Sequence, residues 1–317
     1  MGRSRTPIRI RRLWLALAVL VAITVALGAA AWMASPTPDA FAAHVDSRLK
    51  GTTGVPVTLT AVAPIMREAV VATEDERFYR HHGIDVIGVL RAIPYDLTHL
   101  SYAQGASTIT EQVAKVLYLG GNDHSPWRKL EDAAVAVKLE SRYDKDQILA
   151  AYLDSAYFGQ GAYGVRAASE RYFGVLPRRL DTAQASVLAG LIQAPSSYDP
   201  IRHPGLARDR QIEVLRSLVR NGFLTEAEAA GALARPLRLS TGAALPAVHG
   251  IELSPGPAFV WWELAAGAIV VLLGIGVFAA VRTLRSRAAR GQLVFRLLAL
   301  SLTVAGVAVA VSSFRTA

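Results

Sequence analysis

The chain has 317 residues, 52% of them hydrophobic, and a formal net charge of +9 at pH 7. It contains no cysteine, which excludes disulfide bonds, thiolate nucleophiles and cysteine-bound metals. The positive charge lies at the two ends, because residues 1–34 and 258–317 each carry +5 and leave −1 for residues 35–257. A nearly neutral central region gives no reason to expect nucleic-acid binding.

The N-terminal region has the pattern of a membrane anchor. Residues 13–33 carry no charge, and these 21 residues are enough to cross a bilayer core of about 30 Å. Residues 1–12 hold five arginines and no acid, so we expect a cytoplasmic tail before a transmembrane helix at 13–34. A cleaved signal peptide is the alternative, but its apolar core is usually only about 7–15 residues long, which favours an uncleaved anchor.

Two further apolar stretches close the chain. We predict transmembrane helices at 258–281 and 297–314, with a basic cytoplasmic loop at 282–296 that holds five arginines and no acid. The charge rule then places the N-terminus inside and residues 35–257 outside. The sequence therefore predicts a multi-pass membrane protein with its main domain on the extracytoplasmic side.

The central region is predicted to be mainly α. Residues 35–60 and 236–257 are rich in proline, threonine or glycine and are predicted as linkers, the first leading into a short strand at 57–62. Helical apolar spacing fills the predicted domain at 61–235. The predicted helices are 64–76, 84–97, 107–118, 126–142, 145–157, 161–172, 181–193, 205–221 and 225–234. Asp144 is a predicted N-cap, and Pro126 fits a first helical turn.

Three charged or polar stretches stand out within this domain. The stretch EDERFYRHHG at 74–83 follows an apolar helix, and alone it is typical of an exposed helix end. The stretch QGASTITEQ at 104–112 places hydroxyls at a helix start, where free N–H groups favour an anion. Arg128 and Asp132 lie four residues apart beside Lys129 and Glu131, which alone would be an ordinary salt-bridged surface.

Taken in order, these stretches resemble the motifs of the peptidoglycan glycosyltransferases (glycosyltransferase family 51). That family includes the monofunctional biosynthetic transglycosylases and the transglycosylase module of class A penicillin-binding proteins. The first motif, Glu-Asp-x-x-Phe-x-x-His-x-Gly, is matched by Glu74, Asp75, Phe78, His81 and Gly83. The second, Gly-x-Ser-Thr-Ile-Thr-Gln-Gln, is matched by Gly105, Ser107, Thr108, Ile109, Thr110 and Gln112, with Glu111 replacing a glutamine. The fourth is matched by Lys145, Ile148, Leu149, Tyr152, Leu153 and the run YFGQGAYG at 157–164.

The third motif departs from the family pattern. The family has Arg-Lys-x-x-Glu, and here Asp132 stands at the acidic position with Glu131 just before it. Aspartate is one methylene shorter, and a site that depends on sub-ångström geometry loses activity from such a change. Three alternatives stay open at this point: Asp132 works on a shifted backbone, Glu131 substitutes for it, or the enzyme is slow.

The resemblance covers about residues 60–220 and implies a lysozyme-like helical domain with a small membrane-associated lobe. It implies polymerisation of lipid II by attack of an acceptor 4-hydroxyl on C1 of the donor, with inversion and release of undecaprenyl diphosphate. By resemblance, Glu74 is the general base, and Lys115, Arg128 and Lys129 hold the diphosphate. The implied catalytic residues are Glu74 and Asp132, and the implied substrate-binding residues are Asp75, Phe78, His81, Ser107, Thr108, Gln112, Lys115, Arg128, Lys129 and Glu131.

The resemblance also implies the partners of the protein. We expect lipid II, the growing lipid-linked glycan and the membrane itself, with cell-wall synthesis proteins as candidates to contact the transmembrane helices. No tightly bound cofactor is expected, Mg²⁺ or Mn²⁺ are the candidate metals, and no histidine spacing indicates zinc. Two other functions remain: a non-catalytic or weakly active scaffold of the cell-wall machinery, and a lysozyme-like enzyme that cleaves glycans.

Overall fold

The protein is described here from a computed structural model that covers residues 6–52, 54–89, 107–120, 125–251 and 253. The prediction of a mainly α protein is confirmed for these residues. Ten helices are described: α1 Thr6–Ala34, α2 Phe41–Leu49, α3 Pro64–Glu74, α4 Ile109–Ala114, α5 Pro126–Glu140, α6 Lys145–Ser155, α7 Gly164–Phe173, α8 Thr182–Gln193, α9 Pro204–Arg220 and α10 Glu226–Leu233. A π-helical turn, Lys115–Leu119, continues α4. Strands β1 Leu237–Arg238 and β2 Ala244–Leu245 pair antiparallel, with Leu237 opposite Leu245.

The helix starts follow local capping chemistry. Asp144 accepts a hydrogen bond from the backbone N–H of Gln147 and caps α6, as predicted. Ser125 caps α5 in the same way, and Pro126 occupies the first turn, where its missing N–H leaves no hydrogen bond unmade. The predicted helix at 84–97 lies largely outside the described residues, since only 86–89 of it are described as helical.

Two predictions for residues 35–62 are wrong. Helix α2 lies inside the segment predicted as a linker, because Phe41, Val45 and Leu49 recur every four residues and are buried. The strand predicted at 57–62 is absent, and a short 3₁₀ turn, Leu59–Ala61, takes its place. Proline and glycine residues lie on both sides of the nine-residue helix α2, which is why the composition of the segment predicted a linker.

The chain divides into two units by its internal contacts, and residues 27–86 and 103–256 form the larger one. Within this unit α3 packs against α8 and α9, whereas α4 packs against α5 and α6. Helix α8 is buried along most of its length, because its sequence TAQASVLAGLIQ carries no charged side chain. The end of α3 and the start of α4 therefore meet between two groups of packed helices.

Within this larger unit, Lys138 on α5 contacts the end of α1. The Lys138 ammonium donates hydrogen bonds to the carbonyl oxygens of Trp32 at 2.7 Å and Ser35 at 2.8 Å, and to the Ser35 hydroxyl at 2.8 Å. All three ammonium donors are thus used. Burial lowers the pKa of Lys138.

The three predicted membrane spans are not supported by the structure. Among the described residues, no helix is both long enough and apolar enough to cross a membrane. The first predicted span coincides with α1, which is helical. The spans predicted at 258–281 and 297–314 lie outside the described residues.

Candidate active site

Helix α3 positions Glu74 at its C-terminal end. The helix begins at Pro64 and buries Met66 and Val70 completely, which fixes it against the core. Glu74 is its last helical residue and is half-buried. Its carboxylate is therefore held on a rigid element and is still open to solvent on one side.

Glu74 is the end of a short hydrogen-bonded chain. The side-chain amide of Gln112 donates to the Glu74 carboxylate, with 3.0 Å between Nε2 and Oε2. The hydroxyl of the buried Tyr152 donates to the other end of the same amide, with 3.0 Å between Oη and Oε1. Because an ionised carboxylate only accepts, the amide must present its nitrogen to Glu74 and its oxygen to Tyr152.

The environment of Glu74 shifts its acidity in two opposing directions. Burial raises its pKa above the usual range, while the hydrogen bond from Gln112 and the positive charge of Arg210 lower it. Burial dominates, so the pKa is raised overall. A carboxylate with a raised pKa is a stronger proton acceptor than an exposed one, which suits a general base.

Three residues of the first motif support the site from within the core. Asp75 is buried and accepts hydrogen bonds from His81 Nε2 at 2.9 Å and from the backbone N–H of Ile109 at 3.0 Å. Phe78 is completely buried, and the Lys145 ammonium lies 4.3 Å from its ring centroid. Asp75, Phe78 and His81 were predicted to bind substrate. In this structure they join the ends of helices instead, and Phe78 has no exposed surface to offer.

The start of α4 is fixed by Thr108 and Glu111. The Thr108 hydroxyl accepts from the backbone N–H of Glu111 at 3.0 Å, and the Glu111 carboxylate accepts from the backbone N–H of Thr108 at 2.8 Å. The same hydroxyl donates to the carbonyl oxygen of Gly83 at 2.7 Å. Gly83 has φ +88°, and a Cβ there would lie 2.8 Å from the backbone nitrogen of Val137 on α5, so only glycine fits. Glu111, which departs from the family motif, thus has a structural role.

Two of the predicted substrate-binding residues reach the surface beside this helix start. The Lys129 ammonium donates to the Ser107 hydroxyl at 2.7 Å and pairs with the Glu111 carboxylate at 3.3 Å. The Lys129 side chain is 48% exposed, which leaves it accessible to a ligand. Ser107 and Lys129 therefore form a polar edge next to Glu111.

The two candidate acids of the third motif point into different environments. Asp132 is buried, whereas Glu131 accepts a hydrogen bond from the indole nitrogen of the exposed Trp127 at 2.9 Å. Arg128 lies between them, 3.5 Å from a Glu131 oxygen and 3.8 Å from an Asp132 oxygen. The second distance is too long for a hydrogen bond. Arg128 Nε and Asp132 Oδ1 are both buried and have no hydrogen-bond partner among the described residues.

The three predicted phosphate-binding cations act on Asp132. Burial raises the pKa of this carboxyl overall, and the charges of Lys129, Arg128 and Lys115 lower it, while Glu131 raises it further. All three cations therefore act electrostatically on the same acid. The structure also favours Asp132 over Glu131 as the inward-facing acid.

Helix α4 connects these two groups of residues. Glu111 contacts Lys129 on one side, and the next residue, Gln112, contacts Glu74 on the other. Sequence reasoning missed the roles of Tyr152 and Arg210 in the surroundings of Glu74. Tyr152 lies in a recognised motif and could have been found there, whereas Arg210 lies in an ordinary amphipathic helix without any such signal.

The described residues do not fit a metal site built by the protein. Within this part of the chain, no three or more histidine, aspartate or glutamate side chains are grouped so that they could hold a metal ion. Asp132 is instead surrounded by cationic side chains.

The comparison with known protein families agrees with this geometry. Residues 43–219 match the family model described as Transglycosylase, and this stretch contains every site residue discussed above. The chain belongs to the transglycosylase family. The transglycosylase match begins in α2, which places that helix inside the family region.

Individual relatives of this transglycosylase differ in length. A putative transglycosylase of Cupriavidus necator, H16_A0665, is 46% identical over 54% of this chain and 73% of its own length. Penicillin-binding protein 1F of Bacillus subtilis is 40% identical over 58% of this chain but only 26% of its own length. A crystal structure of penicillin-binding protein 1A from Haemophilus influenzae has 21% identity and a TM-score of 0.36, over 60% of this chain and 18% of that one. The chain thus spans about a quarter or less of the penicillin-binding proteins that it matches.

Proposed function

We infer that the protein is a peptidoglycan glycosyltransferase that joins lipid II units into glycan strands. One observation carries the inference. The half-buried Glu74 with its raised pKa is hydrogen-bonded to Gln112, and the neighbouring Glu111 is paired with the exposed Lys129. A proton acceptor and a cationic site are thereby connected through one helix start.

We propose that Glu74 removes the proton from the 4-hydroxyl of the acceptor sugar. A hydroxyl is a weak nucleophile until a positioned carboxylate accepts its proton. The hydroxyl oxygen then forms a bond to C1 of the lipid-linked donor, and the bond from C1 to the diphosphate oxygen breaks with inversion. The proton remains on Glu74 and passes to solvent before the next cycle.

The leaving group is a lipid diphosphate, which departs as an anion and needs positive charge rather than a proton. Lys129 is exposed and close to the hydroxyl of Ser107, so these two side chains are placed to contact it. Arg128 and Lys115 would add positive charge from the side of Asp132. Asp132 in turn holds these cations in place, which makes it a positioning residue in this proposal.

We also propose that the protein works at the extracytoplasmic face of a bacterial cell membrane. Among the α1 side chains that the structure describes, the exposed large apolar ones are Val19, Val21, Ile23, Val25, Leu27, Trp32 and Met33. Exposed apolar surface of this extent supports contact with lipid, where a substrate with a long isoprenoid chain resides. The same proposal includes a lysozyme-like domain at 61–235 with a small lobe. It also includes the two C-terminal spans and contacts with cell-wall proteins. Protease protection in sealed vesicles, read with tags at both termini, tests the multi-pass topology.

A polymerisation assay with lipid II tests the function. The detergent-purified full-length protein should convert lipid II into glycan ladders, and Glu74→Gln should reduce the rate by about 10²–10⁴-fold. Glu170→Gln is the matched control, because Glu170 is an exposed glutamate outside the proposed site whose carboxylate pairs with Arg166. It should retain the wild-type rate.

The raised pKa of Glu74 also suits an acid that cleaves glycans, so the assay includes preformed strands. Cleavage of these strands without polymerisation would show that the protein is a hydrolase and not a transferase. Folded protein that produces no ladder, and a cellular role unaffected by Glu74→Gln, would indicate the scaffold instead. The lipid diphosphate and the surrounding cations favour polymerisation, since a hydrolase has no anionic leaving group to hold.

A further inference from the structure

An open groove lies between α2 and α6, away from the hydrogen-bonded chain that ends at Glu74. Its volume is about 720 Å³, within the range of about 300–1,000 Å³ that ligand sites occupy. Its lining is largely apolar and includes Phe41, Val45, Val57 and Leu59. Ala43 and Ala150 leave room between the two helices because their side chains are small.

The charges of the groove all have one sign. Four aspartates, Asp46, Asp144, Asp146 and Asp154, contribute to the lining, and no lysine, arginine or histidine does. None of the four forms an ion pair with a basic side chain within the described ranges. Within the nearly neutral region 35–257, the groove is therefore a local concentration of negative charge.

Two of these aspartates are already stabilised by their surroundings. Asp144 caps α6 by accepting from the backbone N–H of Gln147 at 2.8 Å. Asp146 lies in the first turn of the same helix and accepts from the Tyr79 hydroxyl at 3.2 Å. A helix N-terminus favours negative charge, so neither needs a further cation.

The other two aspartates have no comparable partner. Asp154 is only 4% exposed, and among the described residues the backbone N–H of Val57 is its one hydrogen-bond donor, at 3.0 and 3.2 Å from the two carboxylate oxygens. Asp46 is exposed on α2 and acts electrostatically on Asp154. Burial, and to a smaller extent Asp46, raise the pKa of Asp154 to about 7. The groove therefore contains two acidic side chains that interact electrostatically, in a lining that is otherwise largely apolar.

We propose that this groove is the docking site for a segment of a partner protein that carries an arginine or lysine beside an apolar side chain. The long aliphatic part of such a basic side chain packs on apolar surface while its charged end reaches a carboxylate. The Asp46 and Asp154 pair receives the charged end, and the floor formed by Phe41, Val45 and Leu59 receives the apolar neighbour. This inference does not depend on the glycosyltransferase activity.

Peptide binding tests the proposal directly. The probe is a fluorescein-labelled peptide, Leu-Arg-Leu-Arg-Leu, titrated with the purified full-length chain at pH 8, where Asp154 is ionised, and followed by fluorescence anisotropy. Peptides with glutamate or serine in place of arginine are the charge controls. The protein variants are Asp46→Asn and Ala43→Trp, which narrows the groove. Asp209→Asn is the matched control, because Asp209 is an exposed aspartate on α9 outside the groove.

The arginine peptide should bind, and Asp46→Asn should weaken binding about tenfold, as expected for the loss of one close charge partner. Ala43→Trp should abolish binding, whereas Asp209→Asn should leave it unchanged. Equal binding to all four proteins would show general charge attraction and overturn the proposal. If the serine peptide bound as tightly as the arginine peptide, the aspartates would not recognise a positive charge and the proposal would be wrong. No binding of the arginine peptide to folded protein at about 1 mM, the weakest range of specific recognition, would also refute it.

Discussion

The side-chain amide of Gln112 donates a hydrogen bond to the carboxylate of Glu74, with 3.0 Å between the two atoms. This contact joins the end of α3 to the first turns of α4, which belong to different groups of packed helices. Gln112 was predicted from its motif to line a sugar-binding cleft. Its observed position adds a second role, because it sets both the orientation and the acidity of the proposed base.

Replacing Gln112 by leucine should move the acidic limb of the pH–rate profile to higher pH. The hydrogen bond lowers the pKa of Glu74, so its loss raises that pKa and a higher pH is needed to ionise the base. At neutral pH the rate should fall about tenfold, as expected for one charge-assisted hydrogen bond. Lipid II polymerisation measured across pH checks this. A lower rate with an unmoved limb would show that Gln112 acts on substrate alone.

Tyr152→Phe should have a smaller effect in the same direction. It removes the hydroxyl that holds the Gln112 amide and leaves the ring to fill its buried site. The rate should fall by about two- to fivefold, since the amide keeps its contact with Glu74 but loses its anchor. The midpoint temperature of thermal unfolding should stay within a few degrees of that of the wild type. A much lower midpoint would show that the Tyr152 hydroxyl stabilises the fold.

Asp132→Glu should increase the rate of polymerisation by up to about tenfold. Asp132 lies 3.8 Å from Arg128 Nε, and one more methylene would bring the carboxylate within hydrogen-bond distance. Steady-state rates with lipid II measure the effect, with Asp132→Asn as the charge-removing control, which should be slower than the wild type. An Asp132→Glu rate at or below that of the wild type would mean that the backbone has already adapted to the shorter acid.

Glu111→Ala should lower the free energy of unfolding by about 1 kcal/mol, because the Glu111 carboxylate and the Thr108 hydroxyl cap the start of α4 reciprocally. Glu111→Gln should cost less, since glutamine can fill the same position of a capping box. Denaturant unfolding of the two variants gives the comparison. Equal losses would show that the ion pair with Lys129, which both variants lack, matters more than the cap.

The stability of the protein should fall as pH rises from about 4 to about 7. Asp154 has a pKa of about 7 in the folded protein, against 3.8 normally, so over this interval the folded state holds a proton that the unfolded state has lost. Asp154→Asn removes this dependence and should be more stable than the wild type at pH 8 by at most about 4 kcal/mol. The two proteins should be similar near pH 4. Denaturant unfolding at pH 4 and pH 8 measures the difference in the free energy of unfolding between the two proteins. The same difference at both pH values would contradict the prediction.

The sequence predicted most helices because their ends are encoded locally. Asp144 was predicted as the cap of α6 and Pro126 as a first-turn residue of α5, and both are found in these positions. Helix α2 was missed because its repeat of Phe41, Val45 and Leu49 is short and lies among linker-like residues. Its helical state depends on burial against α6, which no local pattern contains.

The site was predicted as a set of residue types but not as an arrangement. Motif order predicted that Glu74 and the cations share one region, and the structure connects Glu74 to Lys129 through the neighbouring residues Gln112 and Glu111. Motif order could not show that Asp75 is buried in a contact with His81 whereas its neighbour Glu76 is exposed. That distinction depends on where α3 ends and on a distant contact, because the Asp75 carboxylate accepts from the backbone N–H of Ile109, 34 residues further along the chain.

The attachment of Lys138 has a consequence for any shortened form of the protein. A chain beginning at residue 36 would remove Trp32 and Ser35, and with them all three acceptors of a buried ammonium group. Lys138 lies on α5, the helix that carries Arg128, Lys129 and Asp132, so the truncation would remove three hydrogen bonds that join this helix to the end of α1. Removing the apolar N-terminal residues to ease purification should therefore lower the free energy of unfolding. A start at residue 30 would keep these acceptors.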